Sequence, residues 1–152
     1  MSANPSPVRR DPGYLGLTSP IETLPADVRA YPDAVAHALS QLRLVGVNGP
    51  YSVLLGADEY TALAETRDHG YPVLEHVKRI VDGNLIWAPA IEGAFVVTTR
   101  GGDFELNIGQ DVSIGYLSHS DSAVQLYLQE TFVFRVLTSE AAVALSPSQK
   151  SS

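Results

Sequence analysis

Residues 103–117, DFELNIGQDVSIGYL, alternate between polar and apolar side chains with hardly a break. Phe104, Leu106, Ile108, Val112, Ile114 and Tyr116 hold even positions; Asp103, Glu105, Asn107, Asp111 and Ser113 hold odd ones. A period of two belongs to a strand that buries one face and wets the other. At about 3.3 Å per residue the stretch reaches roughly 50 Å, whereas ordinary strands run to about five or six residues. The chain then repeats the pattern. Val124, Leu126, Leu128, Phe132, Phe134 and Val136 are even, while Gln125, Tyr127, Gln129 and Arg135 are odd. SHSDS at 118–122 supplies a turn between them, which predicts a long antiparallel hairpin.

That ribbon limits what the rest can be. A domain of about 130 residues has a radius of gyration near 14 Å and is roughly 36 Å across. A 50 Å ribbon fits inside only by bending, and Gly109 and Gly115 are the places for a bend. Either it curls over helices of its own chain, or it completes its burial against neighbours. Its length favours the second, because uncovered apolar patches on soluble proteins mark partners.

The 152 residues suffice for one domain with a real core. A net charge of -7 and no basic stripe argue against a nucleic-acid partner. With no cysteine, disulfides, thiolate nucleophiles and cysteine-based metal sites are excluded. The opening MSANPSPVRRDPGYLG has no apolar core of a signal peptide, and no run approaches the length of a membrane span. The expectation is a cytoplasmic protein with no membrane partner.

Six of the ten prolines precede residue 33. Residues 1–14 therefore read as a disordered leader and 15–32 as an irregular segment lying on something else. SPSQKSS makes 146–152 a polar, disordered tail. A helix is expected from Pro32 to Leu44, with Ala34, Val35, Ala38, Leu39 and Leu42 on one stripe. YSVLLG (51–56) reads as a strand, Asp58 as the cap of a helix to Glu65, 67–72 as a loop, and 72–81 as another helix. LIWAP and AFVVTT read as a hairpin around Glu92 and Gly93. The order is helix, strand, two helices, four strands: an α+β fold with segregated elements.

Several residues invite chemical readings. Ser118, His119, Ser120 and Asp121 include the residue types of a hydrolytic triad, but neighbours in a tight turn do not converge, and no G-x-S-x-G elbow exists. Turn chemistry is the reading, so no catalytic residue is assigned. His76 beside Glu75, and His37 on the first helix, read as solvated or partly buried histidines rather than metal ligands; no metal or cofactor is expected. Trp87 reads as core, its alternative being a platform for a flat ligand in a monomeric binding domain. GAD after Leu55 lacks the phosphate-loop pattern. Glu130 interrupts an apolar face, where burying a carboxylate costs several kcal/mol unless it is paired. It is a candidate for an inter-subunit ion pair; Arg135 lies on the opposite face by parity, and Arg100 is the better partner.

GPYSVLLGADEY, DHGYPVLEHVKRIVDG, LIWAPA, TRGGDFELNIGQDVSIGYLSH and VQLYLQETFVFRVLTSEAAVAL closely resemble encapsulin shell proteins, the linocin family. They run collinearly over about residues 33–145, with weaker similarity back to Gly16. The resemblance implies a fold like that of tailed-phage capsid proteins and self-assembly into a closed compartment around cargo such as a peroxidase or a ferritin-like protein. It makes 15–99 axial-domain-like, with Asp68, His69, Gly70, Tyr71 and Pro72 in a loop lining the five-fold pore. It makes 100–145 the long strands of the peripheral domain, with Phe104, Leu106, Ile108, Ile114, Tyr116, Phe132 and Phe134 in the shell wall. Family members carry roughly another hundred residues before this region, including the part that holds cargo. The expected partners are therefore copies of this chain or a full-length homologue. Older family labels, bacteriocin or protease, imply a hydrolase-like enzyme instead.

Overall fold

The structure is a computed structural model that describes residues 19–148. The expected disordered leader, 1–14, lies outside the described residues, as do the last residues of the expected tail. The chain forms two compact units, one of residues up to Gly101 together with those from Ser139 on, the other Gly102–Thr138.

The first unit is a five-stranded mixed sheet with three helices. Its strands are β1 (Ile21–Leu24), β2 (Tyr51–Leu55), β5 (Leu85–Trp87), β6 (Ala94–Thr98) and β9 (Ala142–Pro147), in the order β1-β9-β6-β2-β5. Helix α1 (Tyr31–Leu44) starts with Pro32 in its first turn, where a missing N–H costs nothing, and Asp33 adds negative charge there. Val35, Ala38, Leu39 and Leu42 form its buried stripe, and Arg43 sits in the last turn. Helix α2 (Ala57–Glu65) is capped by Gly56 rather than by Asp58, which lies inside the first turn. The Gly56 N–H bonds the Gly93 carbonyl at 2.9 Å and fixes the chain there, so the helix begins two residues earlier than expected. Helix α3 (Val73–Ile80) buries Val73, Leu74 and Val77.

All strand residues of the core come from one side of the sheet. Leu24, Tyr51, Val53, Leu55, Ala94, Val96, Val143 and Leu145 belong to the single buried cluster that holds the helix stripes, and their registers place them on a common face.

Three expectations need correction. LIWAP and AFVVTT do not pair with each other, because β2 lies between them, parallel to β5 and antiparallel to β6. The parallel pair is possible because α2 and α3 form the crossover that parallel strands require. Trp87 is not core: it is 59% exposed, since β5 is the edge of the sheet. The segments read as irregular segment and polar tail contain strands, for β1 pairs in parallel with β9 through Pro147. The long-strand unit accordingly ends at Thr138 rather than 145, and β9 returns to the first sheet.

The residues at 67–72 form a miniature hairpin, β3 (Arg67–Asp68) with β4 (Tyr71–Pro72). His69 (φ 47°) and Gly70 (φ 86°) occupy its two corners. Both positive angles are what a two-residue turn needs to match the strand twist.

The second unit is a two-stranded ribbon, β7 (Phe104–His119) and β8 (Val124–Val136). The alternating pattern led to this element correctly.

Candidate assembly surface

Register decides what the ribbon presents. β7 has 16 residues and β8 has 13. The difference of three is taken up by three irregularities, between Ile108 and Gln110, Gln110 and Ser113, and Tyr116 and Ser118, each leaving one extra residue on β7. A bulge turns the following side chains to the other face. The first two bulges therefore cancel, and even positions face the same way before and after them. Phe104, Leu106 and Ile108 stand opposite Val136, Phe134 and Phe132, and Ile114 and Tyr116 stand opposite Leu128 and Leu126. All seven predicted strand residues thus share one face. Phe104 and Phe134 stack across it, with centroids 6.1 Å apart and planes 13° from parallel.

The other face is mainly polar. Glu105 is opposite Arg135, Gln110 opposite Thr131, Ser113 opposite Gln129 and Ser118 opposite Gln125. Gly115 is not a bend, because the register runs unbroken through it. Tyr127, its cross-strand partner, occupies the space where a Cβ would sit. Gly109, the other place expected for a bend, lies at a bulge.

The apolar face has no cover among the described residues. Its exposed members range from 44% (Phe134) to 72% (Leu128) accessible. A strip roughly 40 Å by 10 Å falls in the size range, about 300–600 Å², at which an exposed patch on a monomer serves an interaction. Glu130 sits on this face between Leu128 and Phe132, opposite the bulged Asp111 and Val112. None of the described ion pairs involves it. Arg135 is on the far face, as parity indicated.

At the ribbon tip, Ser118 Oγ donates to Gln125 Oε1 at 2.8 Å, the Ser120 N–H donates to the Ala123 carbonyl at 2.8 Å, and His119 Nδ1 contacts the Tyr116 hydroxyl. Ser118 and His119 spend their side chains on different partners, which is turn chemistry and not a triad. On the small hairpin, His69 Nδ1 lies 3.0 Å from Asp68 Oδ1, and Tyr71 is 62% exposed. Arg67 donates to the Gly70 carbonyl at 3.3 Å, and its own carbonyl accepts from Arg29 Nε at 3.5 Å. His76 is half-buried, with Nε2 unpartnered, while exposed His37 contacts Glu22 Oε1 at 2.8 Å. Among the described residues no three acidic or histidine side chains gather as a metal site, and no helix is long and apolar enough to cross a membrane.

Sequence reasoning did not find a second apolar surface, on the helix-free side of the five-stranded sheet. Its members lie on five strands far apart in the chain, and only the register aligns them.

Comparison with known proteins agrees with this geometry. The chain is 63% identical over 129 residues to the type 1 encapsulin shell protein of Mycobacterium tuberculosis, covering 85% of this chain and 49% of that protein. It is 56% identical over 132 residues to that of Brevibacterium linens, covering 86% and 50%. The chain thus spans about half the length of the curated relatives it matches. Among solved structures, a virus-like particle from Pyrococcus furiosus aligns with a TM-score of 0.72 at 19% identity, over 86% of this chain and 57% of the other. A Mycobacterium phage Che8 chain aligns with a TM-score of 0.59 at 14% identity, over 83% and 52%. These likenesses establish the α+β capsid-like fold. Residues 13–133 match the Linocin_M18 family, described as encapsulating protein for peroxidase, and the chain belongs to that family.

Proposed function

We propose that this chain is a non-enzymatic, self-associating subunit of a cytoplasmic encapsulin-type nanocompartment, representing the C-terminal half of the relatives' shell protein. The observation that carries this reading is the ribbon's uncovered apolar face. An uncovered strip of Leu, Ile and Phe on a two-stranded ribbon is marginal in water alone and gains by burial against another subunit. Phe104, Leu106, Ile108, Ile114, Tyr116, Phe132 and Phe134 supply that contact. Glu130, alone among them, fixes register by pairing with a cation of the neighbour, since a carboxylate buried there unpaired would cost several kcal/mol. The sheet unit takes the axial position, and the hairpin Asp68–Pro72 lines the pore at the axis, with His69 and Tyr71 outermost.

The partners are copies of the chain or a full-length homologue, with a peroxidase or ferritin-like protein as cargo of the completed shell. The purified chain, alone or co-expressed with a full-length relative, should elute far above 16.3 kDa and give closed or partial shells by negative-stain imaging. Monomers under both conditions would overturn the reading.

A further inference from the structure

A two-stranded ribbon leaves each strand one edge without a neighbouring strand, and the two edges of this ribbon are unlike. β7 is interrupted by three bulges, contains Gly109 and Gly115, and carries Glu105 and Asp111. Bulges and charges blunt an edge against a foreign strand. β8 has none of the bulges. Its sequence, VQLYLQETFVFRV, holds no proline, glycine or lysine, and Glu130 and Arg135 are its only charges. A strand of 13 such residues, all but the last exposed, is an open template for another strand.

Glu130 is the midpoint of β8, with six residues on each side of it. The arrangement that joins this edge in two copies and keeps their apolar rows on one face is antiparallel, about a two-fold axis normal to the sheet. In full overlap Leu128 meets Phe132, Leu126 meets Phe134 and Val124 meets Val136, while Gln129 meets Thr131 and Gln125 meets Arg135 on the other face. The exception lies on the axis, where Glu130 meets Glu130 within the apolar row. Like charges directly opposite are destabilising, and packing them among leucine and phenylalanine strips their water. Slipping does not relieve this. A shift of two residues sets each carboxylate opposite Leu128 or Phe132 and leaves the two charges about 7–8 Å apart on the diagonal. Larger even shifts keep each carboxylate in the apolar row and shorten the overlap. Odd shifts turn the apolar rows to opposite faces, and only an odd shift brings Arg135 of one copy opposite Glu130 of the other.

We infer that the outer edge of β8 is the ribbon's strand-addition edge, and that Glu130 sets what it accepts. The accepted strand is an extended segment of a neighbouring chain that brings a lysine or arginine opposite position 130, with apolar residues two places to either side. The same edge of a second copy is rejected. This rests on the reading of the ribbon as the associating unit, and adds which edge pairs and with what.

The chain has no cysteine, so edge pairing is readable by disulfide formation. Full overlap sets residue 129 of one chain opposite residue 131 of the other. Gln129→Cys is therefore placed in one full-length copy of the chain and Thr131→Cys in a second, and equal amounts are oxidised at low salt. With Glu130 in both, the mixed disulfide should form slowly relative to alkylation of the same cysteines. Glu130→Lys in the second chain alone makes its β8 the strand described above, and should raise the rate at least tenfold, a gain that salt reverses. Glu130→Lys in both chains should return the rate to its starting level, and Glu130→Gln in both should raise it. Fast cross-linking with Glu130 in both chains would give the edge to a second copy, and equal rates in all mixtures would remove the role of Glu130; either result overturns the inference. Should Glu130→Lys prevent the ribbon from folding, the Glu130→Gln pair decides alone. Hydrogen exchange supplies the edge itself: the one-sided mixture should slow β8 amides, and slowing confined to β7 would overturn the assignment. Failure here leaves the ribbon's apolar face intact as an association surface, because Leu128→Asp with Phe132→Asp and shell imaging test that face separately.

Discussion

Tyr31 and Gly115 each do work that their neighbours could not. Tyr31 is buried at the start of α1, and that burial, reinforced by Glu59, raises its pKa above 10.0. The folded state therefore holds the phenolic proton more tightly than the unfolded state. The stabilisation is fully present below pH 10 and is lost as pH rises through the raised folded value. Tyr31→Phe should make alkaline unfolding less steep above pH 10 in a denaturant-midpoint series; an unchanged profile would contradict this. Gly115 gives its side-chain space to the Tyr127 ring. Gly115→Val should displace that ring and raise amide exchange in both ribbon strands, whereas the five-stranded unit should keep its exchange rates. Leu39, fully buried in α1, illustrates ordinary core energetics: Leu39→Ala should cost about 2–5 kcal/mol in a urea titration.

The elements differ in how much of themselves they disclose before folding. α1 and the ribbon were legible because their periods, near 3.6 and 2, are local and sustained. The ribbon's bulges were not: two cancel, so the even-position pattern reads the same with or without them. β1 and β9 were missed because IETL and AVALSP are short, and each acquires its meaning from partners distant in the chain, β1 from β9 and β9 from β1 and β6. LIWAP and AFVVTT seemed to pair because they are close in sequence, but β2 offered both a better-buried neighbour. The hairpin at 67–72 was expected as a loop, since a two-residue strand has no pattern to show; Gly70, a residue type suited to the positive-φ corner found there, is the signal that was available. The predicted strand residues did converge on one face, while the helix-free row could not be seen without registers. Leu128→Asp with Phe132→Asp on that ribbon face should abolish assembly. It should leave the melting of the five-stranded unit within about 0.5 kcal/mol, as surface substitutions do. Loss of cooperative folding throughout would instead give those residues a role in the chain's own core.

The molecule combines one unit built around a buried core with one that has none. The sheet and its helices enclose a continuous core, while the ribbon leaves a long apolar strip uncovered among the described residues. In the proposed assembly a chain of net charge -7 would bring such strips together against its own repulsion, so self-association should strengthen as salt rises through the range that screens carboxylates. The chain spans about half of its curated relatives, and the proposed partners are copies of itself or a full-length relative. Sedimentation velocity of the purified chain, alone and mixed with a full-length relative, tests the central claim most directly. Boundaries far heavier than 16.3 kDa, lost on Leu128→Asp with Phe132→Asp, are the expected result. A single 16.3 kDa species in both samples, indifferent to salt and to those substitutions, would contradict it.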